Sequence, residues 1–356
     1  MMKSANPEMM ILARESRGLT QKDLAAAVGV NQMTISRLEK GDVSMSPEIV
    51  KRLSEALRYP EEFFYESEPR LGIGPTELFH YRKKQSVGKR RLDTIHAQLN
   101  IRRMQVRRLL AAVEMEAVRK FPHLDIAGFD GDAAEVARAV RAMWRIPRGP
   151  IRNVTTLIED AGGIVTHFDF AADGIDAISR QIPEMPPMFF MNANVGGGRY
   201  RYTLAHELGH MVMHSVPNGE MEEQANAFAA EFLMPADDIR PMLSGSLTLP
   251  KLAGMTAYWR VSIAALLQRA CDLKRVALRI QRSLWAQLAS AGYKTQEPPE
   301  LDFAVEEPSL LRTILETHTG GLGFSNRDLA KIVALFEDEM LDVFRLRPRG
   351  LRAVSG

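Results

Sequence analysis

The sequence is poor in cysteine and has no long apolar run. Cys271 is the single cysteine among 356 residues, so no disulfide can form within the chain, which is typical of a reducing compartment. No window of about 18 consecutive apolar residues exists, which excludes a conventional membrane helix. The first residues also lack the apolar stretch and the small-residue cleavage pattern of a signal peptide. We therefore expect a cytoplasmic protein with no membrane partner.

The chain also lacks a strong net charge. The formal net charge is +2, so global charge indicates no particular class of partner. The length predicts two or three domains. The charge is nevertheless uneven, because residues 80 to 108 contain ten lysines and arginines against one acid, Asp93. This predicted helical stretch either adds phosphate contacts or forms a solvated face, and the sequence does not decide between the two.

The sharpest motif is His-Glu-Leu-Gly-His at residues 206 to 210. We predict a helix around residues 203 to 214, with Thr203 as its N-cap. Residues four apart lie on the same side of a helix, so His206 and His210 can bind one zinc ion through ring nitrogens at about 2.0–2.1 Å. Glu207 can then take a proton from water as attack on a carbonyl begins. Such a short pattern also occurs by chance, but the helical setting favours the metal site.

A catalytic zinc needs a third protein ligand and an open position for water. A second predicted helix, at residues 221 to 233, supplies the candidates. Glu222 is the preferred third ligand, although Glu223 competes with it and spacing hardly separates the two. Asn226 is predicted to support a ligating group, and His214 either does the same or interacts with the helix dipole. The alternative for both acids is a solvated surface position.

The strands predicted around this helix pair are few. Residues 164 to 170 and 188 to 191 are the main strand candidates, and a loop with three glycines at 196 to 198 follows them. Further short strands are predicted near residues 276 to 280.

The N-terminus predicts a helix-turn-helix module. Two short helices are N-capped by Thr20 and Asn31 and are separated by a tight turn at Gly29. In such motifs the start of the second helix enters the major groove of DNA. The predicted DNA-contacting residues are Gln21, Gln32, Met33, Thr34, Ser36, Arg37 and Lys40. The alternative is a helical adaptor that binds protein, since residues 1 to 65 hold nine basic and nine acidic residues.

Two parts of the sequence resemble known families. Residues 199–210 and 222–235 resemble the ImmA/IrrE family of metallo-endopeptidases, and residues 8–64 resemble the phage-repressor (XRE/Cro) class of helix-turn-helix domains. The first resemblance implies a zincin-like α+β fold with a His-His-Glu zinc site, which falls on His206, His210 and Glu222, and Glu207 as base. It also implies that an edge strand, here residues 187 to 192, borders the substrate cleft. Members of the family cut helix-turn-helix repressors, so a repressor is the expected substrate.

The predicted fold is multidomain and comprises four segments. These are an all-α helix-turn-helix domain (1–66), a linker with the basic helical segment (67–120), an α+β zincin-like peptidase core (121–247) and a mostly helical C-terminal region (248–356). The predicted function is a zinc-dependent endopeptidase fused to an operator-binding domain that controls stress-response or mobile-element genes, with a homodimer as the ordinary expectation. The competing hypothesis is a transcriptional regulator whose zincin domain senses metal or ligand without proteolysis. Glu207 favours the peptidase, because a scaffold needs no base.

Overall fold

The computed structural model describes residues 4–72, 88–170, 174–216, 218–293 and 297–346. The chain divides into two compact units. The first contains the described residues of Met1–Ile73, Lys83–Met115 and Arg312–Gly356, and the second contains those of Glu116–Leu311. The chain therefore leaves the first unit, builds the second and returns to the first. No helix in the described part of the chain has the length and apolar character needed to cross a membrane.

Helices dominate the described residues. The α-helices are α1 Pro7–Ser16, α2 Gln21–Val28, α3 Gln32–Lys40, α4 Pro47–Leu57, α5 Lys89–Leu110, α6 Ala133–Met143, α7 Val154–Asp160, α8 Gly197–Met213, α9 Met221–Leu233, α10 Ala236–Ile239, α11 Leu249–Trp259, α12 Ile263–Asp272, α13 Leu278–Ser290, α14 Leu310–Glu316, α15 Asn326–Ile332 and α16 Glu337–Val343. Two 3₁₀ helices, Glu61–Tyr65 and Ile126–Phe129, and one π-helical turn, Thr317–Gly321, join them. The strands are β1 Ile164–His167, β2 Ala177–Arg180 and β3 Met188–Met191. The predicted multidomain arrangement of a helical module, a mixed α+β region and further helices is confirmed.

The N-terminal helices form the predicted helix-turn-helix. The Thr20 hydroxyl accepts from the backbone N–H of Asp23 while the Asp23 carboxylate accepts from the backbone N–H of Thr20, so this capping box satisfies two backbone donors at the start of α2. Gly29 ends α2 with φ of 74°, a left-handed conformation that a residue with a Cβ adopts only at a cost. Asn31 caps α3 through the backbone N–H of Thr34. Both predicted N-caps are therefore confirmed.

Helix α5 contains most of the basic stretch, and the burial of two of its arginines fits neither phosphate contacts nor a solvated face. Arg102 and Arg103 are buried, with exposed fractions of 8% and 1%. The Arg102 guanidinium lies 4.7 Å from the ring centroid of Phe344, and burial lowers the pKa of Arg102 to about 10. Much of this helix is thus interior to the first unit, whereas Lys89, Arg90 and Arg107 stay exposed. Residues 80 to 87 of the stretch lie outside the described residues.

The C-terminal helices complete the first unit. Arg17, just after α1, donates to both carboxylate oxygens of Glu339 at 2.6 and 2.9 Å. Arg58, just after α4, pairs with Asp338 at 2.6 Å. The two compact units thereby combine segments that the sequence analysis separated, and the four-segment division stays a prediction.

The second unit contains a three-stranded sheet in the order β1-β3-β2. Strand β3 pairs parallel with β1 and antiparallel with β2, so it is the central strand. The expectation that residues 187 to 192 form an edge strand is therefore wrong, and β2 lies at the edge instead. The sequence missed β2 because its four residues, Ala-Ile-Ser-Arg, carry little β-propensity. The short strands expected near residues 276 to 280 are also wrong, because α13 begins at Leu278.

The HExxH helix, α8, begins earlier than predicted. It starts at Gly197, so Thr203 lies within the helix and is not its N-cap. The first backbone N–H is instead satisfied by Asp302, whose Oδ1 accepts from Gly197 at 2.9 Å. A Cβ on Gly197 would lie 2.2 Å from the carbonyl oxygen of Phe303, so glycine permits this close approach. Tertiary contacts therefore start the helix where local sequence predicted a loop.

Candidate metal centre

Three predicted metal ligands converge in the second unit. The Nε2 atoms of His206 and His210 are 3.0 Å apart. The Glu222 carboxylate reaches the Nε2 of His210 at 3.4 Å and the Nε2 of His206 at 4.0 Å. Among the described residues, these three form the group of histidine, cysteine and acidic side chains that could hold a metal ion.

Packing between α8 and α9 brings these side chains together. His206 and His210 lie one turn apart on α8, and Glu222 lies in the first turn of α9. A Cβ on Gly209 would lie 3.0 Å from the Phe228 ring, so the glycine of the motif lets α9 approach closely. The contact between the helices therefore depends on a small residue inside the motif itself.

Glu222 and Glu223, the two candidates for the third metal ligand, differ in exposure and in their position relative to the two imidazoles. The Glu222 side chain is 15% exposed and faces the two imidazoles. Glu223 is exposed and is not part of the cluster found among the described residues. The geometry therefore favours Glu222, as the sequence analysis preferred.

The donor set fits a zinc ion. Zinc ligands at about 2.0–2.1 Å in a tetrahedral arrangement lie about 3.4 Å from one another. The separations of 3.0, 3.4 and 4.0 Å bracket that value. Two imidazoles and one carboxylate also form the ligand set of several catalytic zinc sites, in which a fourth position is left for water. Chemistry and spacing therefore agree with the predicted cofactor.

The second ring nitrogen of each histidine has its own partner. The Nδ1 of His206 lies 3.1 Å from the Oδ1 of Asn226, and the Nδ1 of His210 lies 3.0 Å from the Nδ1 of His214. His214 is the C-cap of α8, and burial together with the nearby His210 lowers its pKa to about 4. Asn226 and His214 contact the residues that they were predicted to support, and their role stays a prediction.

Glu207 has a partner that the sequence analysis missed. The Ser179 hydroxyl, on strand β2, donates to the Oε2 of Glu207 at 2.5 Å. Glu207 is buried, with 4% of its surface exposed. A serine 28 positions away in an unrecognised strand gave no signal in the sequence. Ser179 fixes one oxygen of the predicted base beside the histidine cluster.

The residues predicted to contact DNA differ in exposure. Gln32, Met33, Arg37 and Lys40 are exposed on α3, and Met33 is 68% exposed. The other three, Gln21, Thr34 and Ser36, are half-buried. Gln21 donates to the Oε2 of Glu39 at 2.8 Å, and Thr34 bonds the Oδ1 of Asn31 at 2.9 Å. The outer surface of α3 therefore carries the side chains that are open to solvent.

Comparison with protein families agrees with this organisation. Residues 155–270 match the M78 peptidase model, described as an IrrE N-terminal-like domain, and residues 10–64 match a helix-turn-helix model. The chain carries both domains. No curated protein matches it significantly. The predicted recognition is therefore confirmed, and the matches support a metallopeptidase-type enzyme joined to a DNA-binding domain.

Proposed function

We propose that the protein is a zinc-dependent endopeptidase joined to its own DNA-binding domain. The observation that carries the proposal is the convergence of His206, His210 and Glu222 from two helices. Glu207 lies beside this cluster on α8, so a base and three ligands occupy one site. The M78 match supports peptide hydrolysis as the reaction class.

In this proposal, His206, His210 and Glu222 hold the ion. Zinc, when bound, lowers the pKa of water towards about 7 and polarises a carbonyl group. Glu207 accepts the proton of the attacking water and passes it to the leaving amine. The hydrogen bond from Ser179 holds the Glu207 carboxylate in its rotamer, which keeps the base in place between these two proton transfers.

The substrate peptide is proposed to lie along strand β2. Asn192 donates its N–H to the carbonyl of Asp176 at 2.8 Å, next to the pairs formed by Ala177 with Met191 and Ser179 with Phe189. Along an antiparallel strand, the backbone N–H and C=O groups of successive residues point alternately towards and away from the neighbouring strand. Because the groups of Asp176 point towards the chain of β3, those of Ala177 and Ser179 point away from it. An extended peptide can pair with these groups by strand addition. It would then run past the residue whose hydroxyl contacts Glu207.

The helix-turn-helix domain is proposed to bind an operator-like DNA duplex through α3. Four side chains of α3 are exposed and carry groups suited to base edges, thymine methyls and phosphates: Gln32 and Met33 near the start of the helix, and Arg37 and Lys40 further along it. The proposed substrate is a helix-turn-helix repressor, by resemblance to the ImmA/IrrE family. Its cleavage would change the transcription of stress-response or mobile-element genes.

The test compares the wild-type chain with Glu207→Gln, which keeps the shape of the side chain and removes the base. Each protein is co-expressed in turn with the helix-turn-helix repressors of the same genome as candidate substrates, and zinc content is measured by mass spectrometry. We expect about one zinc per chain in both proteins and cleavage only with the wild type. Equal cleavage by the two proteins would remove Glu207 as the base. Zinc binding without cleavage by either would favour a regulator that senses metal.

A further inference from the structure

The start of α5 lies against the turn that leads into the helix-turn-helix. Arg90, Thr94 and Gln98 are spaced four residues apart, so their side chains lie along one side of the helix. Arg90 donates to the carbonyl of Gly18 at 2.7 Å, and Gln98 donates to the carbonyl of Ser16 at 2.9 Å. A Cβ on Gly18 would lie 3.4 Å from the Oγ1 of Thr94. These contacts fix the first turn of α5 beside the start of α2.

The exposed side chains at this corner of the first unit are mostly basic. The Arg90 guanidinium lies 3.4 Å from the carboxylate of Asp23, in the first turn of α2. Lys22 and Lys89, the chain neighbours of this pair, are also exposed, so three exposed cations accompany one exposed acid. The side chains of Arg90 and Asp23 are 65% and 45% exposed, and an ion pair this open to water contributes little to stability. Its arginine therefore remains available to a second anion.

The start of α2 belongs to the surface that helix-turn-helix domains turn towards DNA. In these domains the second helix of the motif enters the major groove, while the first helix crosses the sugar-phosphate backbone. Helix α2 is the first helix of the motif in this chain, and Gln21 in its first turn is one of the predicted DNA-contacting residues. Arginine and lysine side chains are common partners of phosphate oxygens. Arg90 and its neighbour Lys89 therefore lie where the phosphate backbone is expected to pass.

We propose that Lys89 and Arg90 bind the phosphate backbone of DNA beside the bases that α3 contacts. This inference rests on the DNA-binding role proposed above. Both residues lie outside residues 10–64, the segment that matches the helix-turn-helix family, so α5 extends the DNA-binding surface beyond that domain. Phosphates are the same in every DNA sequence. The surface therefore adds affinity and salt dependence to DNA binding, and it adds no preference for particular bases.

The salt dependence of DNA binding by the full chain tests the proposal. Fluorescence anisotropy gives the affinity for a duplex enriched from a randomised library, and each phosphate contact contributes about 0.9 to the slope of log affinity against log salt concentration. Arg90→Gln should make this slope shallower by about 0.9 per bound chain, and combining it with Lys89→Gln by about 1.8. Arg90→Lys keeps the charge and should retain the wild-type slope. Arg107→Gln, at an exposed position of α5 about 25 Å from Arg90 along the helix, is the matched control.

A scrambled duplex separates phosphate binding from base recognition. Arg90→Gln should weaken binding to the enriched and the scrambled duplex by the same factor, because both carry the same phosphates. Equal slopes for Arg90→Gln and Arg107→Gln would overturn the proposal. A shallower slope for Arg90→Lys as well would also overturn it, because the bond to Gly18 and not the charge would then be what matters. If Arg37→Ala weakens binding while all slopes stay equal, only this surface is rejected. A wild-type chain that enriches no duplex would reject the DNA-binding domain together with this surface.

Discussion

Replacing Gly197 with alanine tests the packing that starts the HExxH helix. A Cβ at this position would lie 2.2 Å from the Phe303 carbonyl oxygen and 2.6 Å from a carbon of its ring, whereas ordinary contact begins at 3.4 Å. The obstacle at 2.2 Å is a backbone atom, so a rotamer change cannot relieve it. The start of α8 or the segment around Phe303 must therefore move by roughly 1 Å.

The expected change in the free energy of unfolding has three contributions, of which two destabilise the unit and one stabilises it. Overpacking costs about 1–3 kcal/mol. The movement also breaks the bond from the Gly197 N–H to Asp302, and a capping bond of this kind contributes about 1 kcal/mol. Alanine offsets about 0.5–1 kcal/mol of this, because it restricts the unfolded chain more than glycine does. The net destabilisation of roughly 1–3 kcal/mol should lower the Tm of the second unit by about 2–12 °C.

Gly254→Ala is the matched control. Gly254 lies exposed within α11 of the same unit, and a Cβ there would meet nothing within 4 Å. This change should stabilise the unit by about 0.4–1 kcal/mol and raise its Tm by about 1–4 °C. Circular dichroism melts of the metal-free full-length proteins measure both effects on one transition. Equal stability of the two variants would mean that the segment around Phe303 does not pack on the start of α8.

Two further predictions concern the DNA-binding domain and the pH dependence of stability. The probe for DNA binding is a duplex enriched from a randomised library, and fluorescence anisotropy measures its affinity. Arg37→Ala should weaken this binding by about 1–3 kcal/mol, whereas Arg240→Ala, at an exposed position of the second unit, should bind as the wild type does. Equal affinities of the two variants would reject α3 as the DNA-contacting helix. Burial raises the pKa of Glu159 above 4.5 although Ser309 and Leu310 donate to it, so its contribution to stability is complete below pH 4.5 and is lost as the pH rises through the folded-state pKa. The Tm of the metal-free wild type should therefore rise relative to that of Glu159→Gln as the pH falls from neutral towards 4.5, because Gln does not titrate. A Tm difference that stays constant over this range would contradict this reasoning.

Local patterns in the sequence determined much of the helical structure. Gly29 ends α2 in a left-handed conformation, and Asn31 begins α3 through a short-range capping bond. His206 and His210 share one side of a helix because the spacing of four residues fits the helical repeat. Each of these features depends on residues within one or two turns, so one sequence is enough to predict it.

Only the tertiary structure decided the features that join distant segments. The strand order placed β2 at the sheet edge and brought Ser179 to Glu207, and no local periodicity encodes which strands pair. Asp302 satisfies the start of α8 from 105 residues away, and the buried Arg102 lies against Phe344. The sequence specifies which side chains can bond, pair or ligate, but a contact between residues far apart in the chain depends on how the helices and strands pack.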